Sequence, residues 1–277
     1  MSSAASSILR ALLDDRSLPP HLLLVVAHPD DEVIGAGGLL RRLARRGAAI
    51  ELLHATDGSP RDLRDARANG FSGRAAYADA RRGELGRALQ AGGVVPLRFH
   101  TLDVVDQEAA TRLPAIARQL ADVFVRVGPD AVMTHPYEGG HPDHDALAFA
   151  VWAATRLMPD PPAVLELTSY HAGPSGLCAG RFLPVERWPS RPVTLKLTDR
   201  EREAKSAMLG CFVTQRETMR WFPVVPERFR DQPAYDFGRP PHEGRLFYEY
   251  FGWGMTSSRW RGHVRDAVEV LGVVACR

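Results

Sequence analysis

Residues 21–32 read HLLLVVAHPDDE, and this stretch indicates the fold class. The continuous apolar run from His21 to Ala27 is typical of a central strand that is covered on both faces. A sharp polar turn at residues 28–31 follows at once, and a helical pattern then extends from Glu32 to Arg46. A buried strand that passes directly into a helix predicts the first unit of an open α/β sheet.

The alternation of strand and helix patterns continues to residue 171. Further strands are predicted at residues 49–56, 96–102, 130–134 and 163–171. Further helices are predicted at residues 75–91, about 111–127 and 143–157. Connections of this kind join parallel strands by right-handed crossovers. We therefore expect a doubly wound, mainly parallel sheet with helices on both faces.

The pattern loosens after Gly173, where prolines divide the chain into short pieces. So proline-rich a stretch is not expected to fold alone, and we interpret it as an irregular C-terminal extension that extends the sheet and roofs the site. The expected organisation is an N-terminal extension at 1–20 and a single domain at 21–277, with a core at about 21–215 and the extension at about 173–277.

Composition excludes several classes of protein. The 35 Lys and Arg residues nearly balance the 33 Asp and Glu residues, so no basic footprint of a nucleic-acid binder is present. Cys178, Cys211 and Cys276 are too few and too far apart for a disulfide framework or a thiolate zinc site. No apolar run approaches the ~18 residues of a membrane span. We expect a cytoplasmic protein with a small-molecule substrate and neither nucleic-acid nor membrane partners; the oligomeric state stays open.

Two short motifs concentrate the chemistry: HPDDE at residues 28–32 and HPDHD at residues 141–145. Each follows a predicted buried strand or the loop beyond it. Loops at the carboxyl ends of parallel strands line one crevice, so the two motifs are expected to converge although many residues separate them.

The motifs together can supply a catalytic metal site. Zinc in a hydrolytic site takes three nitrogen or oxygen ligands and leaves one position open. One histidine and one carboxylate from the first motif and one histidine from the second satisfy this requirement. The residues themselves leave open whether Asp30 or Asp31 is the ligand, and either could simply cap the helix that follows.

The sequence resembles the LmbE-like (PIG-L) family of zinc-dependent N-deacetylases, which includes the N-acetylglucosaminyl-phosphatidylinositol de-N-acetylases. Order and spacing agree over roughly residues 22–215. The resemblance is carried by VAHPDDE at 26–32, TDG at 56–58, RRGEL at 81–85, THP at 134–136, HPDH at 141–144 and the segment 205–215.

The resemblance implies a Rossmann-like fold and one Zn²⁺ per chain, bound by His28, Asp31 and His144. A site with two histidines and one aspartate also accepts Fe²⁺ or Co²⁺, because metal availability contributes to selectivity.

The resemblance also implies the catalytic roles. Asp30 matches the general base, and His141 matches the histidine that stabilises the oxyanion and protonates the leaving amine. Asp143 is placed to tune His141. Since a nearby carboxylate favours the charged imidazole, this predicts a pKa of His141 above the ordinary ~6.5.

Substrate contacts are assigned to Arg81 and Asp106. Arg81 matches a family arginine that reaches the sugar end of the substrate, with a salt bridge to Glu84 as the alternative. Asp106 occupies a place where relatives carry a substrate-contacting acid, with a helix cap as the alternative. Among other side chains, His135 and Tyr137 are interpreted as lining the cleft. Three of the five tryptophans are interpreted as packing residues rather than a sugar platform: Trp221, Trp253 and Trp260.

We therefore expect a zinc-dependent hydrolase that removes an N-acyl group, with acetyl as the first choice, from an amino-sugar-containing small molecule. One alternative is an amidase that acts on a thiol conjugate or a secondary-metabolite glycoside. Another is a non-catalytic carbohydrate-binding protein. The complete set of candidate ligands and base argues against the second alternative, because sugar binding alone needs neither.

Overall fold

The structure is a computed structural model, and it describes residues 4–14, 16–174, 176–185 and 191–274 of the chain. Cys276 lies outside the described residues. The helices are α1 (Ala4–Leu13), α2 (Asp31–Arg45), α3 (Arg64–Ala68), α4 (Arg74–Gly92), α5 (Leu113–Val127), α6 (Pro142–Arg156), α7 (Asp199–Leu209), α8 (Arg216–Met219) and α9 (Ser257–Leu271). The strands are β1 (Leu22–Val26), β2 (Ile50–Pro60), β3 (Arg98–Asp106), β4 (Ala131–Thr134), β5 (Ala163–Leu167), β6 (Tyr170–Gly173), β7 (Gly176–Ala179), β8 (Val193–Leu195) and β9 (Glu227–Asp231).

The main sheet has the strand order β3-β2-β1-β4-β5-β9-β8. The first five strands of this order are parallel, whereas β9 runs antiparallel to both of its neighbours. Strands β6 and β7 form a separate antiparallel pair. The chain winds outward from β1 to β3 and then returns to β4, so the order reverses between β1 and β4. A crevice at such a reversal is the usual ligand site of an open parallel sheet.

Strand β1 explains why the sheet is covered on both faces. Its alternate side chains enter different apolar layers, with Leu23 and Val25 in one and Leu22, Leu24 and Val26 in the other. The first layer includes residues of α5, α6 and α9, and the second includes residues of α1, α2, α4 and α7. The continuous apolar run in the sequence follows from this double burial, and the expected doubly wound, mainly parallel fold is confirmed.

Two segments differ from the expected elements. Residues of the expected N-terminal extension form helix α1, whose Leu9 and Leu12 are buried in the second apolar layer. The segment expected as one strand at 163–171 is divided into β5 and β6, with Thr168 and Ser169 buried between them. The polar pair ends the first strand and turns the chain toward the cavity described below.

The irregular, proline-rich extension is not confirmed. The described part of residues 173–274 contains α7, α8, the 15-residue helix α9 and strands β8 and β9, which extend the sheet beyond β5. Within the portion of the chain that the structure describes, no helix is both long and apolar enough to span a membrane.

Candidate active site

The two motifs meet in one cavity of about 260 Å³ at the carboxyl ends of β1 and β4. The turn after β1 contributes His28, Asp30 and Asp31 to the lining, and the segment after β4 contributes His141 and His144. All five side chains are buried. The expected convergence of the motifs follows from the adjacency of β1 and β4.

Asp31 lies between the two histidines that the sequence assigns to the metal. Its Oδ2 is 3.3 Å from His28 Nδ1, and its Oδ1 is 3.3 Å from His144 Nε2. Ligand atoms held about 2.0–2.2 Å from a tetrahedral ion lie about 3.3–3.6 Å apart. Each of the two contacts has this spacing, but they use different oxygens of Asp31. The assignment of His28, Asp31 and His144 to one ion stays a prediction.

The protonation states suit metal binding at His144 and Asp31. Burial, followed by the neighbouring His135, lowers the pKa of His144 to about 3. Burial opposes ionisation of Asp31, but His144 and His135 outweigh it and hold its pKa well below the ordinary value. His144 Nδ1 lies 3.0 Å from Ser169 Oγ. A neutral ring that donates its Nδ1 proton to Ser169 leaves the Nε2 lone pair available to a cation.

The pKa of His28 is shifted in the opposite direction to that of His144. Burial disfavours its charged form, but Asp106, Asp143 and Asp31 outweigh burial and raise its pKa well above the ordinary value. Binding of a cation at His28 must therefore release a proton.

The cavity offers more donors than one ion needs. Three groups of buried side chains each place their ligand atoms within 4.8 Å of one another: His28 with His141 and His144; His28 with Asp106, His141 and Asp143; Asp31 with His135 and His144. None of these three groups contains His28, Asp31 and His144 together, so the predicted set stays a prediction, and a three-histidine set that excludes Asp31 is also possible.

Asp30 forms a buried ion pair with Arg81. Arg81 Nη2 donates to Asp30 Oδ2 at 2.7 Å, and its Nη1 donates to the carbonyl oxygen of Gly58 at 2.6 Å. Burial raises the pKa of Asp30 to about 6, although Arg81 opposes the rise. A carboxylate with a pKa near neutrality is suited to general-base chemistry. Arg81 also lines the cavity, but both of these amino groups are engaged by the protein.

The alternative roles considered for Arg81, a salt bridge to Glu84, and for Asp106, a helix cap, are wrong. Glu84 does not bind Arg81; its carboxylate accepts hydrogen bonds from the backbone N–H and the hydroxyl of Thr214. Asp106 does not cap a helix. It lines the cavity, with its Oδ1 3.1 Å from His28 Nε2 and 3.9 Å from His141 Nε2.

Asp143 lies in the site but does not tune His141 as expected. Its carboxylate accepts backbone hydrogen bonds from Gln107 at 2.7 Å and Ala109 at 3.1 Å, and it lies 3.5 Å from His28 Nε2. Only its backbone N–H contacts His141, donating to Nδ1 at 3.2 Å. Burial, followed by the nearby His28, lowers the pKa of His141 well below the ordinary value. The expected rise is therefore wrong, because the carboxylate is engaged elsewhere.

His135 and Tyr137 do not line the cavity. His135 is fully buried and stacks on His144, with ring centroids 3.9 Å apart, so it supports the ring of His144. Tyr137 is buried and donates its hydroxyl to the carbonyl oxygen of Arg239. Trp260 is fully buried against Tyr137, in agreement with the packing interpretation.

Most of the aromatic residues that line the cavity were not predicted from the sequence, and the packing interpretation is wrong for Trp221 and Trp253, which line it. The whole set of aromatic lining residues, which we call the aromatic wall, consists of Tyr170, Trp221, Phe222, Phe247, Phe251 and Trp253. The cluster of aromatic residues at 247–253 was visible in the sequence, but no periodic pattern connected it to the motifs. Ser169 gave no signal at all, because its contact with His144 depends on the break between β5 and β6.

Residues 23–155 match the family model described as PIG-L: GlcNAc-PI de-N-acetylase. A curated relative from Bacillus cereus, described as "Probable N-acetyl-alpha-D-glucosaminyl L-malate deacetylase 2", is 34% identical over 145 residues, which are 50% of this chain and 62% of the relative. A second, the 1D-myo-inositol 2-acetamido-2-deoxy-alpha-D-glucopyranoside deacetylase of Kineococcus radiotolerans, is 34% identical over 48% of this chain and 44% of its own length. In both cases the match spans less than two thirds of the relative.

The fold is similar to that of solved deacetylase structures. The crystal structure of a deacetylase–teicoplanin complex aligns with a TM-score of 0.58 and 17% identity, over 76% of this chain and 97% of the other. At this identity the likeness concerns the fold alone.

Proposed function

We propose that the chain is a metal-dependent hydrolase that deacylates an N-acetylated amino sugar, on the premise that residues 23–155, which match the PIG-L family model, form a domain of this LmbE-like family. The observation that carries the proposal is the buried arrangement of Asp31 between His28 and His144, at 3.3 Å from each. These three residues lie within the segment that matches the de-N-acetylase family model, which supports the proposal.

The cofactor that we propose is one Zn²⁺ per chain, with Fe²⁺ or Co²⁺ as substitutes. A divalent ion at such a site supplies Lewis acidity, which polarises an amide carbonyl and favours deprotonation of water. Imidazole nitrogens and a carboxylate oxygen bind any of these ions. This donor set therefore supports a transition metal but does not distinguish zinc from iron or cobalt.

Two residues beside the proposed ligands, Asp30 and His141, have separate roles in the reaction. Asp30 accepts a proton from the attacking water, and the ion pair with Arg81 opposes the effect of burial and keeps Asp30 available as a carboxylate. His141 accepts the Asp143 N–H at Nδ1, which leaves Nε2–H free to donate to the oxyanion that develops on the carbonyl. As the C–N bond breaks, the leaving amine takes up the proton that Asp30 accepted from the water, and the products are an amine and a carboxylate.

The substrate class is proposed from the relatives. Their names describe deacetylases of N-acetylated glucosamine conjugates, and the cavity combines the polar side chains that a sugar requires with room for a small ligand. A cytoplasmic location remains our prediction.

The test is amine release from N-acetylglucosamine and its glycosides by the purified chain, before and after treatment with a chelator. We expect the chelator to abolish the release and Zn²⁺, Fe²⁺ or Co²⁺ to restore it. Release that survives complete metal removal would contradict the metal-dependent mechanism, and no release from any N-acylated amino sugar would contradict the substrate class.

A further inference from the structure

We infer that the aromatic wall binds an apolar group that the substrate carries beside its scissile amide. This inference rests on the proposed hydrolase function and narrows it. The substrate class becomes an N-acylated amino sugar with an apolar substituent, located either on the acyl group or on the amine that is released.

The aromatic wall is continuous. The ring of Phe247 lies 5.7 Å from Tyr170 and 5.0 Å from Phe251, and the rings of Phe251 and Trp253 stack at 4.7 Å. Phe222 extends the series on the other side of Tyr170, at 5.6 Å. These side chains come from β6, from the segment after α8 and from residues 247–253, so three separate parts of the chain build one apolar surface.

The aromatic wall directly adjoins the residues of the reaction. The ring of Trp253 is 4.7 Å from that of His141, and the ring of Tyr170 is 5.4 Å from that of His144. A group that lies on the wall is therefore next to any amide that is held between the two histidines. This contact makes the wall part of the substrate site rather than a separate surface.

Packing of the fold does not explain the whole wall. Trp221 is 46% exposed, and Phe247, Phe251 and Trp253 are only half-buried, whereas Trp260 is completely enclosed by the core. Clustered aromatic area that stays accessible in a cavity is typical of a site that a ligand covers. Aromatic rings gain most from such coverage when the ligand is flat or apolar.

The lining of the same cavity also includes polar side chains. Asp62, Arg64, Asp65 and Gln107 line it together with Arg81. Charged and amide side chains suit the hydroxyl groups of a sugar, and they offer nothing to an apolar group. A ligand that contacts both these residues and the aromatic wall must be amphiphilic.

The experiment compares three substrates: N-acetylglucosamine, phenyl N-acetylglucosaminide and N-hexanoylglucosamine. The phenyl compound places the apolar group on the amine side, and the hexanoyl compound places it on the acyl side. We expect one of them to exceed N-acetylglucosamine in kcat/KM by about tenfold or more, because its added apolar area is removed from water. The compound with the higher kcat/KM shows whether the apolar group lies on the acyl side or the amine side of the scissile bond.

Variants then locate the gain. Trp221→Ala with Phe251→Ala is expected to reduce the kcat/KM ratio of the preferred compound to N-acetylglucosamine to near one. Tyr250→Ala is the matched control, because Tyr250 is 58% exposed and does not line the cavity; its ratio should equal that of the wild type. Thermal unfolding of each variant verifies that the fold persists.

Binding separates this inference from the proposed reaction. Calorimetric Kd values of the three compounds, measured with zinc-loaded Asp30→Asn protein, need no turnover, so they test the wall even if no amine is released. A preference for the apolar compound that disappears in the double variant supports the inference. Equal Kd values for all three compounds, or the same loss in Tyr250→Ala, would overturn it.

Discussion

Residues 28–144 and residues 170–253 line the same cavity with opposite chemistry. The first segment contributes imidazoles, carboxylates and the Arg81 guanidinium from the ends of parallel strands and the helices that follow them. The second contributes mainly aromatic rings from β6, a short helical turn and loops. Groups that perform proton transfers need fixed geometry, which strand ends provide, whereas apolar recognition tolerates the looser placement of loops.

The family match divides the chain at the same place. It covers residues 23–155 and so includes every candidate ligand and proton-transfer group, while the aromatic wall begins at Tyr170. The reaction is therefore the part that the match supports, and the identity of the substrate depends on residues beyond it.

The largest effect is expected at Asp30. Asp30→Asn removes the proposed general base without changing the size of the side chain, so kcat should fall by about 10²–10⁴-fold while the metal content stays as in the wild type. Both quantities are measured on one preparation, with the exposed Asp79→Asn as the control. If the aromatic segment alone positioned the substrate for reaction with bulk water, kcat would barely change; loss of metal would instead make Asp30 a ligand.

A smaller effect is expected at Ser169, which lies where the two segments join. Ser169→Ala removes the oxygen 3.0 Å from His144 Nδ1, and loss of such a support weakens metal binding by about 10–100-fold. Competition with a chromogenic chelator measures the change, and Ser206→Ala on α7 is the control. Unchanged affinity in folded protein would mean that His135 stacking alone orients the ligand.

The smallest effect is expected on the pH dependence of stability, through the buried contacts of Glu138 that link the two segments. Glu138, which follows β4, accepts a hydrogen bond from the backbone of Leu183 and lies 3.7 Å from Arg230 on β9. Burial raises the pKa of Glu138 to about 7, although Arg230 and the Leu183 amide oppose the rise. Because the folded pKa exceeds the unfolded value of ~4.3, the folded state binds more protons in this window, and its free energy of unfolding falls as pH rises toward 7.

Glu138→Gln cannot ionise and should flatten this dependence. The wild type is expected to lose up to about 1.4 kcal/mol per pH unit through this group between pH 5 and 7, a loss that the variant lacks. Urea denaturation at several pH values measures the slopes. The pH dependence of the free energy of unfolding in the exposed-site variant Glu217→Gln should parallel that of the wild type. If Glu138→Gln also parallels the wild type, the pKa of Glu138 in the folded protein is not raised above its unfolded value.

Local patterns were sufficient to predict the parallel sheet and the meeting of the two motifs. The apolar run of β1 reports burial on both faces, and adjacency of strand ends follows from the parallel order. Contacts that depend on distant segments could not be predicted. The carboxylate of Asp143 binds the amides of Gln107 and Ala109, 36 and 34 residues earlier in the chain, and nothing near Asp143 in the sequence indicates this.

The same limit applies to the edges of the fold. Helix α1 is rich in alanine and serine, so its buried Leu9 and Leu12 gave too little periodic signal to predict packing on the sheet. The break that places Ser169 against His144 lies inside a run that reads as one strand. The aromatic wall is assembled from three segments, and only the folded chain brings them together.

We propose that the first segment holds the metal through His28, Asp31 and His144, and metal content tests this ligand set most directly. Elemental analysis should find about one divalent ion per chain in the wild type and in His141→Ala, and almost none in Asp31→Ala. The structure also allows a set of three histidines that includes His141, so the two variants separate the alternatives. Metal retained in Asp31→Ala and lost in His141→Ala would contradict the ligand set with Asp31 and favour the set of three histidines.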